Sequence, residues 1–473
     1  MGKTKYQMDM CHGSLPRKIF VFTVPLVFTG ILQLLFNAAD LMVLGQFAPV
    51  QAMAAVGATL SMHSLIINIF MGTAIGANVV AGNFYGAKDY GGMRRTVHTA
   101  IIFAFFGGLG VMAAGLLVGR YLLQKMNTPA NIIDDAWLYT WICFCGIPFI
   151  VLYNYGCALL RAVGDTKRPL YILIAAGILN VALNVILVRF CNMSVAGVAL
   201  ATVASHILSA ALVMRLLIKN HGACRFNFKW LCFDFKILWK MLIIGIPSGI
   251  GSSCFSIANM IIQAAVNSFG ELAVAGRTAV QSMEGICYIA GYAFSQSAIS
   301  FVAQNLGGGK YKRIVKSAIW CTVFAVIFSG ILGIIFNVAG KYAIRIFAAD
   351  PEVISWGLIG VHVLCSTYAL CAVMDVPASG LRGLGMSIVA TINSLFGACL
   401  FRIFWILWIL PYKHTMTVLL LSYPASWILT ALINWSIFLF ITKKMMQNKI
   451  KGRTTLMGMK PGIPKGIRFF NTK

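Results

Sequence analysis

Twelve acidic residues occur in the chain, and three of them stand inside long apolar runs: Asp40, Glu284 and Asp375. An ionisable group near mid-bilayer costs about 2.5–3.5 kcal/mol on insertion scales, so each marks a place where function has to be considered. A carboxyl group held there can take up and release a proton, a small metal cation or a cationic organic molecule. Other polar residues line up beside these acids. Gln33, Asn37 and Asp40 fall at i, i+4 and i+7, one face of a helix. Asn180 and Asn184 are four apart, as are Asn259, Gln263 and Asn267 in succession. Arg277, Gln281, Glu284 and Tyr288 make a further stripe, with Tyr292 one turn on, and Asp375 shares a face with Ser379. Interhelical hydrogen bonding is the plain alternative for the amide stripes. Arg402 is the one cation well inside a run, and a buried acid partner is expected for it. His63 and His206 read as buried, hydrogen-bonded histidines.

The elements that must carry these stripes follow from composition. Of 473 residues, 59% are hydrophobic and 11% charged, against roughly a quarter charged in soluble domains. Twelve apolar runs reach the ~20 residues needed to cross a ~30 Å hydrocarbon core. They lie at about 19–44, 53–81, 97–119, 137–160, 170–188, 195–214, 241–267, 278–303, 317–338, 354–380, 388–411 and 417–441. None alternates apolar and polar residues as a membrane barrel would. The expected fold class is an all-α polytopic membrane protein with twelve transmembrane helices. The first run is too long for a cleaved leader and carries Asp40, so it reads as a retained helix.

The formal charge of +26 does not indicate a nucleic-acid surface. With the N-terminus in the cytoplasm, thirty of the thirty-eight Lys and Arg residues fall in cytoplasmic loops and tails, as the positive-inside rule requires. The expected location is the cell membrane, multi-pass, with both termini cytoplasmic and the bases meeting anionic lipid headgroups. The thirteen cysteines show no metal-site spacing. Gly307-Gly308-Gly309-Lys310 lacks phosphate-loop spacing and reads as a tight turn.

The chain is also a duplication, visible at a displacement of roughly 221–222 residues. Pro25 is followed twelve residues later by Asn37, and Pro247 by Asn259. Ala54-Ala55-Val56-Gly57 answers to Ala273-Val274-Ala275-Gly276. Gly82-Asn83-Phe84-Tyr85-Gly86-Ala87-Lys88 answers to Gln304-Asn305-Leu306-Gly307-Gly308-Gly309-Lys310, and Leu160-Arg161-Ala162-Val163-Gly164 to Leu381-Arg382-Gly383-Leu384-Gly385. Six helices per half make the repeats parallel, the arrangement of two pseudo-symmetric bundles. The expected organisation is a cytoplasmic tail over 1–16, an N-lobe over 17–218, a linker over 219–240, a C-lobe over 241–442 and a cytoplasmic tail over 443–473.

These landmarks resemble the multidrug and toxic compound extrusion (MATE) family. Pro25 through Phe36-Asn37-Ala38-Ala39-Asp40, with Ala54-Ala55-Val56-Gly57, is similar to its first two helices. Leu160-Arg161-Ala162-Val163-Gly164-Asp165-Thr166-Lys167-Arg168-Pro169 and Gly197-Val198-Ala199-Leu200-Ala201-Thr202 resemble its later signatures. Met283-Glu284-Gly285 and Met374-Asp375 fit the bacterial branch. The resemblance spans about 15–445 and implies a MATE-like fold exporting drugs in exchange for H⁺ or Na⁺. It assigns Asp40, Asn180, Asn184 and Thr202 to a cation site, with Na⁺ at Asp40 and Asn180 as the metal alternative. Asn184 stands where many members carry Asp, and Cys254 and Phe255 where some carry Glu, so the coupling ion stays open.

The expected function is therefore secondary active multidrug export by alternating access, cation for organic substrate. Glu284 and Asp375 are the second-half coupling candidates. Gln33, Asn37, Asn154, Asn259, Gln263, Gln281, Tyr288 and Arg402 are the candidates for a substrate cavity. No cofactor beyond the coupling ion is expected. The expected partners are small, often cationic organic molecules and membrane lipid, with the protein a monomer. A lipid-linked oligosaccharide flippase is the second reading, disfavoured by the few cations available to meet a pyrophosphate. An enzyme would need converging catalytic groups near an interface, which the short basic loops do not provide.

Overall fold

The computed structural model describes residues 6–126, 128–220, 222–345 and 350–450. They form twelve helices long and apolar enough to cross a membrane, one for each expected run. We number them α1 (Leu15–Phe47), α2 (Gln51–Gly86), α3 (Tyr90–Lys125), α4 (Ile133–Ala162), α5 (Lys167–Phe190) and α6 (Ser194–Lys219) in the first half. The second half holds α7 (Phe235–Asn267), α8 (Glu271–Gly307), α9 (Tyr311–Arg345), α10 (Pro351–Gly383), α11 (Ser387–Tyr412) and α12 (Met416–Lys449). No strand occurs among the described residues. In hydrocarbon every backbone polar group must be paired within its own segment, which is why the apolar runs become helices.

Most helices outrun the apolar runs that seed them. At ~1.5 Å per residue a span needs about twenty residues, whereas α2 and α3 have 36 each and α8 has 37. Bases that the sequence suggests are in loops therefore lie on helices: Arg94 and Arg95 in α3, Lys312, Arg313 and Lys316 in α9, Lys236 and Lys240 in α7. Arg277, read as flanking its span, is in the second turn of α8 and buried. The expected C-terminal tail begins as helix, since α12 is continuous with helix to Ile450. Residues 451–473 of that tail, and 1–5 of the other, lie outside the described residues. Short π-helical stretches interrupt α5 at Ile186–Phe190, α10 at Val361–Cys365, and α11 at both Leu395–Leu400 and Trp405–Ile409.

The described residues form two compact units. The first comprises 6–9, 28–85 and 89–245, the second 10–27, 86–88 and 246–450. In the first unit α4 packs on α3 and α6, and α6 on α5. Val43, Leu44, Val56, Tyr139, Val188 and Val198 form a buried cluster joining α1, α2, α4, α5 and α6. The opening turns of α7 belong here too, pressed so closely on α2 that a Cβ at Gly76 would stand 2.0 Å from the Met241 carbonyl oxygen. The second unit mirrors this. There α8 packs on α9 and α10, and α10 on α12. The opening turns of α1 pack on α8, with Phe22 edge-on to Phe301 at 5.6 Å and Thr23 Oγ1 2.7 Å from Ser297 Oγ. Each of these two helices changes unit within three residues of its proline, Pro25 or Pro247.

Met8, Met10 and Gly13, which precede α1, are each held by hydrogen bonds. The Met8 N–H donates to the Val163 carbonyl at 3.1 Å, and Gly164 (φ +88°) lies against Met8 within the first unit. In the second unit the Met10 N–H donates to Gln304 Oε1 at 3.2 Å, and Arg313 donates to the Gly13 carbonyl at 3.0 Å.

Candidate functional site

Four of the expected coupling residues meet in the first unit. Asp40 lies near the end of α1, and the Val43–Leu44 cluster below it fixes that end against α5 and α6. Asn180 and Asn184 stand on one face of α5, both buried, and Thr202 faces them from α6. The Asn184 side-chain amide donates to Asp40 Oδ1 and, at 3.2 Å, to Asn180 Oδ1; Asn180 Nδ2 is 3.5 Å from Thr202 Oγ1. Turning the Asn184 amide over would set its oxygen against a carboxylate, so this orientation follows from the chemistry.

That orientation has a consequence. Asn184 Oδ1 is buried and has no hydrogen-bond partner among the described residues. A buried acceptor left unpaired costs about 1–3 kcal/mol. Asp40 forms no ion pair among the described residues. The group thus combines an unneutralised carboxylate, an orphan amide oxygen, a second amide oxygen and a hydroxyl. Such an all-oxygen set suits a hard cation or a proton rather than a soft metal. No cluster of three His, Cys, Asp or Glu suited to a metal occurs among the described residues, and no disulfide joins cysteines there. His63, expected to be satisfied, has a buried Nε2 without a partner; its ring centroid lies 5.7 Å from that of Tyr139 and 5.9 Å from that of Phe144.

The acids of the second half are arranged differently. Glu284 is held by Arg277, seven residues earlier on α8, through bonds of 2.5 and 3.2 Å. Both residues are buried, at 7% and 6% exposure. Asp375 forms no ion pair among the described residues, though it lies within electrostatic range of Arg382 and Arg402. No acid bonds Arg402 among the described residues, contrary to expectation. Its guanidinium donates from Nε to Ser426 Oγ at 2.9 Å and from Nη1 to Asn259 Oδ1 at 3.4 Å, and stands 4.2 Å from the Tyr423 ring centroid.

The remaining cavity candidates are scattered. Gln33 and Asn37 are exposed on α1, and Gln281 is exposed on α8. Tyr288 stacks on Tyr292 with centroids 5.6 Å apart. Gln263 bonds Asn267 at 3.1 Å within α7. Asn154 donates to its own helix at Ile150 and lines a small crevice with Ile66, Phe70, Ile147 and Val151. Sequence reasoning missed the α12 partners of this half, Tyr423, Ser426 and Trp427. The signal was there: Ser422, Ser426, Thr430 and Asn434 recur every four residues and are all fully buried, a polar stripe on one helix face.

Comparison with known proteins agrees with this architecture. The sequence model of the MatE family matches twice, over residues 25–186 and 247–408, each match opening on the proline of its half. The "Probable multidrug resistance protein YoeA" of Bacillus subtilis (strain 168) is 25% identical over 440 residues, covering 90% of this chain and 94% of the relative. The "FAD transporter" of Shewanella oneidensis is 26% identical over 384 residues, covering 79% and 81% respectively. A crystal structure of MATE in the straight conformation has a TM-score of 0.88 at 18% identity, covering 94% of this chain and all of that one. The chain therefore belongs to the MatE family, the multidrug and toxic compound extrusion transporters, which move solutes across membranes and are not enzymes.

Proposed function

We propose that the protein is a cation-coupled exporter of small organic molecules, with Asp40 as the coupling carboxylate. The observation that carries this reading is the buried Asn184 Oδ1, unpartnered among the described residues, beside an Asp40 that forms no ion pair among them. A proton or a Na⁺ ion bound there would satisfy both groups, with Asn180 and Thr202 completing the oxygen set. A ligand shifts an alternating-access equilibrium only by its different affinity for the two states. Cation uptake from one side, and its loss on the other, supplies such a difference and drives substrate the opposite way. The lobes would be residues 17–218 and 241–442, the protein a monomer of the cytoplasmic membrane, and both termini cytoplasmic.

Exposed Gln33, Asn37 and Gln281 support a polar interior path, because polar side chains within a span must face protein or water. Asp375 is the second-half residue still available for coupling; Glu284, engaged by Arg277, would act only as a member of that pair. The names of the two relatives, a multidrug resistance protein and an FAD transporter, leave the cargo wide: organic, and not of one charge.

The test is efflux of ethidium or norfloxacin from proteoliposomes with a pH or a Na⁺ gradient imposed in turn. Asp40→Asn is expected to lower gradient-driven efflux by about tenfold or more, the scale of one lost charge-assisted interaction. Unimpaired efflux by Asp40→Asn would remove this carboxylate from the mechanism. The gradient that drives the wild type names the ion.

A further inference from the structure

Arg402 is 2% exposed, and burying a charge without a counter-charge costs several kcal/mol. Its contacts are all neutral: the Ser426 hydroxyl, the Asn259 amide oxygen, the Tyr423 ring and, at 6.0 Å, the Trp427 ring. A guanidinium carries five N–H donors, and the two side-chain bonds of Arg402 use only Nε and Nη1. The acids of this half do not neutralise it by contact, since Glu284 is committed to Arg277 and Asp375 forms no ion pair. Asn259, which Nη1 reaches, is itself exposed on α7. The charge thus lies one side chain behind an exposed polar position.

The backbone supports a binding role. Arg402 occupies the short α-helical stretch Phe401–Phe404 between two π-helical segments, Leu395–Leu400 and Trp405–Ile409. Such segments are rare and are frequently found at functional sites. The displacement that carries Pro25 to Pro247, between the two family matches, also carries Asn180 to Arg402. A position that serves the oxygen-lined group in the first half is thereby a fork of donors in the second.

We propose that Arg402, with Asn259, receives an anionic group of the transported molecule, a carboxylate or phosphate on an organic solute. The inference rests on the export reading above and narrows its cargo. A guanidinium is the side chain suited to bidentate capture of carboxylate and phosphate. It repels the organic cations that the sequence suggests, unless they also carry an acid. The phosphate of an anionic lipid has the same chemistry as a solute phosphate, and the experiment separates the two.

The test uses a matched pair of dyes on the purified, full-length protein in neutral detergent, with no gradient, read by fluorescence polarisation. Fluorescein and rhodamine 123 share a planar xanthene ring but carry opposite charge at neutral pH. Arg402→Met is expected to weaken fluorescein binding by about tenfold or more, the scale of a hydrogen bond to a charged group, and to leave rhodamine 123 binding unweakened or tighter. Arg402→Lys keeps the charge but not the planar fork, so its fluorescein affinity should fall between those of the wild type and Arg402→Met. Should Arg402→Met fail to fold, Asn259→Asp sets a carboxylate against the guanidinium and is expected to abolish fluorescein binding in a folded protein. Equal losses for both dyes, or unchanged fluorescein binding in these variants, overturn the proposal. So does complete displacement of fluorescein by a few equivalents of phosphatidylglycerol, which would make the site a lipid site. Because no gradient is used, these outcomes are independent of whether Asp40 couples transport.

Discussion

In both halves the fifth helix reaches back to the first, but the chemistry at the meeting point is opposite. In the first half an α5 amide, Asn184, donates to an α1 carboxylate, Asp40. In the second an α11 guanidinium, Arg402, donates to an α7 amide, Asn259. Among the described residues, one site holds an acid without a cationic partner and the other a cation without an anionic contact. The duplicated scaffold joins the same two helices in each half, at positions about one turn apart, and with the opposite sign. Under the two proposals above a cation would bind in the first half and an anionic group in the second, so the two tasks of an exchanger would not compete for one carboxylate. Glu284 shows what a buried acid looks like when it is not free, closed into a two-bond pair with Arg277.

The sharpest way to break this comparison is through those acids. Removing one member of a buried ion pair leaves the other uncompensated and costs about 3–5 kcal/mol. Glu284→Gln should therefore lower thermal stability in detergent strongly, and a Glu284→Gln, Arg277→Met double variant should recover much of it. Asp40→Asn, with no ion pair to break, should cost far less stability while losing efflux. If Asp40→Asn destabilises as much as Glu284→Gln, Asp40 is a structural acid.

A smaller effect separates the turns after the fourth helix of each half. Gly164 (φ +88°) and Gly385 (φ +81°) both occupy the left-handed region, where a side chain costs about 1–3 kcal/mol. A Cβ at Gly164 would also meet Met8 Cβ at 2.6 Å and its carbonyl oxygen at 2.7 Å. Gly164→Ala should thus lower the melting temperature more than Gly385→Ala, and equal shifts would mean that the Met8 contact carries no weight.

The smallest effect lies in the turn after the second helix. It uses Lys88 at φ +59° in the first half and Gly309 at φ +63° in the second. Lys88→Gly should raise stability by about 1 kcal/mol, the cost of a left-handed side chain; no gain in a thermal melt would show that Lys88 repays its strain.

The spans and the duplication were legible because each is written along the chain, whereas the grouping of Asp40 with Asn180, Asn184 and Thr202 came from the family resemblance. Apolar length shows the helices, matching prolines and turns show the repeat, and i, i+4 spacing put Asn180 and Asn184 on one face. What spacing does not encode is which helices meet. Arg402 was visible as a buried cation, but its contacts come from α7 and α12, 143 and 24 residues away in sequence. The expectation of an acid there failed for that reason. Helix ends were misread for another. An apolar run stops at the hydrocarbon edge, while backbone hydrogen bonding continues into water, as α12 does through Lys443 and Lys444.

The exchange of units at Pro25 and Pro247 bears on how such a chain can be taken apart. A fragment ending in the linker would keep the opening turns of α1 but not α8, on which they pack, and would lose the opening turns of α7 that cover α2. Neither product of the ancient gene doubling is now a finished object. Truncated halves should be insoluble or degraded when made singly, and recoverable only when both are made in the same cell.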